Sequence, residues 1–140
     1  KKILNQFAPF FQENTNQSLQ PKVFECDQIL LQTVGFDMHK GITLTCPGFY
    51  APQGRQLRAK SFIHHNFFDK ASQMKFGKLR LTNLEMETAG IYGLAKILGH
   101  RALSCNAILA NRITKNFSKD PKNIVNQMII DILNKVAPSN

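Results

Sequence analysis

The chain has 140 residues, 43% of them hydrophobic, enough for one ordinary domain with an apolar core and too many for a disordered tail. Eighteen Lys and Arg against nine Asp and Glu give a net charge of +9, which by itself favours polyanions, anionic membranes or phosphate-bearing small molecules as partners. No apolar run reaches the roughly 20 residues needed to cross a bilayer, and no basic-then-apolar leader opens the chain, so a soluble cytoplasmic protein is expected. Cys26, Cys46 and Cys105 are odd in number and widely spaced, without a CxxC. They read as reduced, mostly buried thiols rather than a disulfide framework or a zinc site.

In chain order, Val23 to Val34 carries apolar residues at 23, 24, 26, 29, 30, 31 and 34. That helical stripe ends at Gly35, where a left-handed residue can close the last turn. Gly41 to Cys46, GITLTC, is short, β-branched and alternating, as a strand should be, and the Gly- and Pro-rich stretch from Pro47 to Gly54 ends it. His64 and His65 sit on an aromatic stretch and read as helix surface, since adjacent residues diverge on a helix; no metal is assigned. Leu79, Leu81 and Leu84 predict a second strand, followed by a helix from Glu85 to Leu98 closed by Gly99. Ala102 to Ala110 reads as a third, largely buried strand. The last element is a helix: Ile124, Val125, Met128, Ile129, Ile132, Leu133 and Val136 repeat at three and four, with Asp120 as N-cap and Pro121 at the first helical position.

Strands and helices in alternation predict an α/β domain with a mixed, largely parallel sheet flanked by helices. In such sheets ligands bind beyond the carboxyl ends of the strands. Phe49, Gln53 and Arg55 follow the first strand, Glu85 to Glu87 the second, and Asn111 and Arg112 the third. Each has a plainer reading. A Gln and an Arg in a surface loop are commonly just solvated. Acids at a helix start meet the positive end of its dipole, and Met86 between them would serve a core. Arg112 can snorkel.

The stretch NLEMETAGIYGLA, Asn83 to Ala95, closely resembles the EMExAGxYxxA signature of the nucleoside phosphorylase superfamily, which includes uridine phosphorylases and hexameric purine nucleoside phosphorylases. The resemblance implies that Glu87 accepts hydrogen bonds from the ribose 2′ and 3′ hydroxyls, that Met86 packs on the sugar, and that Glu85 is the more structural acid. A carboxylate suits this role, because it can take both hydroxyls of a cis-diol and favours the positive charge that develops as the glycosidic bond breaks. FYAPQGR, Phe49 to Arg55, is similar to the FYxxQxR segment of uridine phosphorylases. By that likeness Phe49 packs near the base and Gln53 and Arg55 bond the uracil edge. An amide both donates and accepts, and a guanidinium can steady a carbonyl that gains charge as the base departs. AILANR resembles a third segment ending in Asn-Arg, which gives Arg112 a supporting role in the base pocket. Hexameric purine enzymes place an aspartate near Asn111 to protonate the purine, and an asparagine cannot be that acid. Pyrimidine nucleosides are therefore favoured, with a purine nucleoside phosphorylase or a water-using nucleosidase of the superfamily as alternatives.

The resemblance implies a phosphorylase/hydrolase-like fold of which residues 1–140 are a C-terminal portion. Phosphate as co-substrate, no organic cofactor, and a homo-oligomer, dimer or hexamer, follow from the same likeness. The family's glycine-containing phosphate loop and phosphate-binding arginines have no match here, so the phosphate site and an N-terminal half are expected on polypeptide outside this sequence, with this portion inactive by itself. From a different class, the basic charge also admits a single-stranded nucleic-acid-binding module with exposed Phe and Arg stacking on bases. Scattered lysines and the apolar settings of the phenylalanines disfavour it.

Overall fold

The alternating segment LRLTNLE forms the longest strand, and the sheet is organised around it. The computed structural model describes residues 1–16 and 20–137. Strand β1, Ile42–Thr45, runs parallel to β3, Leu79–Glu85; the two-residue β2, Lys75–Phe76, runs antiparallel along the other side of β3. The order β1-β3-β2 makes β1 an edge. Close approach at the start of β1 requires Gly41: a β-carbon there would lie 2.1 Å from Thr82 Oγ1.

One face of this sheet is closed by aromatics. Helix α1, Lys2–Glu13, was not apparent from the sequence because Pro9 lies inside it, although Ile3, Phe7, Phe10 and Phe11 share helical spacing. Helix α3, Phe67–Gln73, brings Phe67 and Ala71 against Phe7, Ile63 and Phe76 to form the buried cluster. Phe67 is wholly enclosed and meets Phe7 and Phe11 edge-on.

The remaining helices are α2, Gln28–Thr33; α4, Thr88–Ile97; and α5, Pro121–Val136. In α5 the expected start is present: the Asp120 side chain accepts the Asn123 N–H, with Pro121 in the first turn. Gly99 closes α4 in the left-handed conformation, with His100 N–H donating to Ala95 O. Several expectations need correction. The helix read from Val23 begins only at Gln28, since Asp27 N–H bonds Ala102 O while its side chain caps Leu30 N–H; Phe24, outside the helix, packs on Gly93. Gly35 is not left-handed. The third strand is absent across 102–109. Ser104 N–H donates to the Tyr92 hydroxyl rather than to a neighbouring strand, and only Ala110–Asn111, strand β4, pairs, antiparallel, with β5, Asn116–Phe117. The fold is thus a mixed α/β arrangement with one parallel pairing, not a largely parallel sheet.

A cavity of about 1300 Å³ lies against the sheet, lined by Ile42, Leu44, Leu81, Leu103, Ile124 and Met128 among others. Among the described residues no helix is long and apolar enough to cross a membrane.

Candidate functional site

In the parallel register, Thr45 at the end of β1 stands beside Glu85 at the end of β3, and Cys46 N–H donates to Glu85 O at 2.8 Å. The two predicted segments, the loop after β1 and the turn after β3, therefore leave the sheet side by side.

The loop is closed by its own residues. Pro52 opens a 3-10 turn, Ala51–Gln53, and Gly54, at φ 73°, permits the reversal that follows. Arg55 folds back over it: Nη1 donates to Gln53 Oε1 at 2.5 Å and to Phe49 O at 2.7 Å, and the guanidinium lies 3.8 Å from the centre of the Phe49 ring. Phe49 and Tyr50 meet edge-on, both substantially exposed, whereas Gln53 is 5% exposed. The arginine thereby orients the glutamine amide and backs the aromatic ring.

The turn is organised by Glu85. Its Oε2 accepts the N–H groups of Glu87 and Thr88 at 2.7 and 2.6 Å, and Oε1 accepts the Thr45 hydroxyl. Thr45 Oγ1 in turn accepts the Ala89 N–H at 3.0 Å. Partial burial works against the charge of Glu85, but these hydrogen bonds outweigh it and hold the carboxyl below its ordinary value. Glu85 therefore caps α4, and the helix begins at Thr88 rather than at Glu85. Glu87 and Met86 project from the turn exposed, Glu87 Oε2 accepting the Met86 N–H at 3.2 Å.

Arg112 arrives on the β4–β5 hairpin rather than at the end of a third sheet strand. Its guanidinium lies 4.2 Å from the centre of the Phe68 ring. Partial burial, and then the charge of Arg55, lower its pKa. Burial pushes the Cys46 thiol up to about 11 despite both arginines, so Cys46 is an inert thiol beneath them. Asn111 is used locally: Oδ1 accepts the N–H groups of Ile113 and Thr114, both at 3.0 Å, which shapes the hairpin turn. Phe49, Gln53 and Arg55 thus form one group, which Arg112 joins through Phe68, whose ring lies against Gly54 of the same loop. Glu85, Met86 and Glu87 form a second, joined to it through the ends of β1 and β3. The large cavity contains none of these seven side chains, nor Asn111, and is lined mainly by apolar groups. The residues missed by sequence reading are Thr45 and Phe68; an alternating strand and an aromatic run conceal them.

A small mixed sheet whose adjacent strand ends present an arginine–glutamine loop and a carboxylate-capped turn is compatible with an α/β fold. A similar protein bears on the class. Over 90 residues the chain is 39% identical to a uridine phosphorylase of Thermococcus kodakarensis (strain ATCC BAA-918 / JCM 12380 / KOD1), a match spanning 63% of this chain and 31% of that protein. The similarity supports a nucleoside phosphorylase relationship and covers about a third of the relative's length. No family model matches the chain, and no solved structure does.

Proposed function

We propose that this chain holds the base and ribose in a nucleoside phosphorylase acting on uridine, the phosphate being bound by polypeptide outside this sequence. The observation that carries the reading is the register of β1 on β3, which sets the Gln53–Arg55 loop next to the Glu85–Glu87 turn. A pyrimidine base and its sugar are adjacent groups that need these two kinds of partner. Gln53 Oε1 retains a second lone pair for the uracil N3–H while accepting from Arg55, and its amide N–H groups can donate to a carbonyl. Arg55 would supply further N–H donors to the charge gathering on the departing base, with Phe49 packed against it and Arg112 in support. Glu87 would accept the 2′ and 3′ hydroxyls, with Met86 on the sugar face and Glu85 holding the turn. Asn111 supplies no acid for a purine.

In the proposed reaction phosphate attacks C1′, the bond from C1′ to the base breaks, and ribose 1-phosphate and free uracil leave. The protein contributes positioning and electrostatics rather than a nucleophile. The large apolar cavity and the exposed apolar faces of α4 and α5 support the further reading that an N-terminal portion packs here and that the assembly is a homo-oligomer.

The test is uracil release from uridine, with and without phosphate and with inosine in parallel, on the product of the complete reading frame that encodes this chain. Phosphate-dependent cleavage of uridine is expected. Cleavage of inosine alone would overturn the pyrimidine choice, phosphate-independent cleavage would make the protein a nucleosidase, and no cleavage would overturn the reading. Gln53→Ala and Arg55→Ala are each expected to reduce the preference for uridine over inosine, on the order of 10-fold. Glu87→Ala should depress turnover of any nucleoside, on the order of 100-fold.

A further inference from the structure

Arg112 is a long side chain at the first position of a hairpin loop, and the charge of Arg55 opposes its own. Among the described residues neither arginine forms an ion pair; the ion pair present is Lys135 with Asp37. Something other than a carboxylate must keep Arg112 beside the Gln53–Arg55 pair. The neighbour that does so is Phe68, whose ring centre lies 4.2 Å from the guanidinium carbon.

Phe68 is itself held on two sides. Its ring stands edge-on to the fully buried Phe67 at 5.1 Å, so the aromatic core limits its rotation. Its edge also meets the loop. A β-carbon on Gly54 would come within 3.0 Å of Phe68 Cε2, and Gly54 is the residue between Gln53 and Arg55. One ring therefore touches the loop that carries Gln53 and Arg55 and also stacks the arginine from the hairpin. An aromatic face attracts a guanidinium without neutralising it, which leaves its N–H donors and its positive charge available to a ligand.

We propose that Phe68 is a positioning residue of the base site: its face holds Arg112 next to Gln53 and Arg55, and uridine binding depends on Phe68 through Arg112. This rests on the nucleoside reading above. Phe68 touches no substrate in this account and adds nothing to the chemical step.

The test is a double-mutant cycle on the uridine KM of the complete protein. Phe68→Leu keeps apolar bulk against Phe67 and Gly54 but removes the aromatic face. It is expected to raise the uridine KM about 5-fold, with kcat held within about twofold. Phe68→Tyr should behave like the unsubstituted protein, and Phe68→Leu should add nothing in an Arg112→Ala background. Equal KM effects of Phe68→Leu with and without Arg112 would reduce Phe68 to a core residue and overturn the proposal, as would an unchanged KM with Arg112 intact. If Phe68→Leu fails to fold, Arg112→Lys keeps the charge but loses the flat stack, and an unchanged KM in that variant would overturn the proposal equally. A second readout is independent of activity. The Arg112 side-chain proton resonances should be displaced by the Phe68 ring current in the unsubstituted protein and return to ordinary values in Phe68→Leu. If the unsubstituted protein leaves uridine uncleaved, the nucleoside reading and the base-site role fall together, and the resonance comparison alone decides whether Phe68 holds Arg112.

Discussion

The aromatic cluster between α1, α3 and β2 and the pair of helices α4 and α5 are built from comparably apolar segments, yet they end in opposite conditions. Phe67 and Ala71 are completely enclosed, with Phe7, Ile63 and Phe76 around them. On α4, by contrast, Ile97 is 80% exposed and Ile91, Leu94 and Leu98 are also open, while α5 has no buried residue and presents Ile129, Leu133 and Val136 to solvent. The difference lies in the available partners. Helix α1 is packed against β2 and α3 against β3, and Phe7, Phe10, Phe11, Phe67 and Phe76 each meet another ring. Helix α5 turns Ile124 and Met128 to a cavity of about 1300 Å³, and its Ile129, Leu133 and Val136 have no covering layer among the described residues. Amphipathic pattern makes a helix, but only a second apolar surface makes a core.

Substitutions can sharpen this contrast. The largest loss is expected from Phe67→Ala, about 3 to 5 kcal/mol of stability by urea unfolding, because an enclosed ring leaves a cavity with no route to collapse. An unchanged midpoint would mean that the aromatic cluster is not the core. Next comes Gly41→Ala, expected to cost about 1 to 3 kcal/mol, since the added methyl would strike Thr82 at 2.1 Å. Thr45→Val should cost about 1 to 3 kcal/mol, because the Ala89 N–H loses its acceptor and Glu85 a donor. This variant also has a pH signature. Glu85 titrates below its ordinary 4.5 in the folded chain, so its contribution is complete above that value and is lost as pH falls through the lowered one. Thr45→Val raises the folded value and should flatten the acid limb of an unfolding-against-pH profile.

The exposed helices should respond differently. Ile97→Lys is expected to change the stability of this chain by no more than about 0.5 kcal/mol. A large loss would show that α4 is already covered in this chain by itself, before the proposed assembly covers it. The smallest expected effect is at Asp37, whose bond from Lys135 holds its carboxyl below the ordinary range. Asp37→Asn should remove a contribution that is present above the ordinary carboxylate range and fades as pH falls through the lowered value, so its stability lies slightly below that of the unsubstituted chain at neutral pH and converges with it in acid; an identical pH profile would count against the pairing.

Legibility followed the range of the interactions involved. The α5 N-terminus was readable because Asp120, Pro121 and Asn123 lie within one turn. Strands β1 and β3 were readable from alternation within a few residues. The segment from 102 to 110 has the same local character as a strand, yet its backbone groups go to Asp27 and Tyr92, residues remote in sequence. The start of α2 was misplaced for the same reason. At the candidate site, the proximity of the loop to the turn was legible as two strand ends. The bond from Arg55 to Gln53, the local use of Asn111 Oδ1, and the seat of Arg112 on Phe68 were not.

The sequence by itself determined the residue types from which a candidate site could be read, Gln53, Arg55 and Glu85 to Glu87, and it determined the helices and strands whose signals are local. The tertiary structure alone decided that Glu85 would cap α4, that β1 would lie parallel to β3 with Thr45 against Glu85, and that Arg112 would reach the loop from a hairpin. A hydrogen-bond donor or an aromatic face has no preferred partner until the chain has folded. Packing then selects one neighbour among many of equal chemistry, and that selection has no period or motif to announce it.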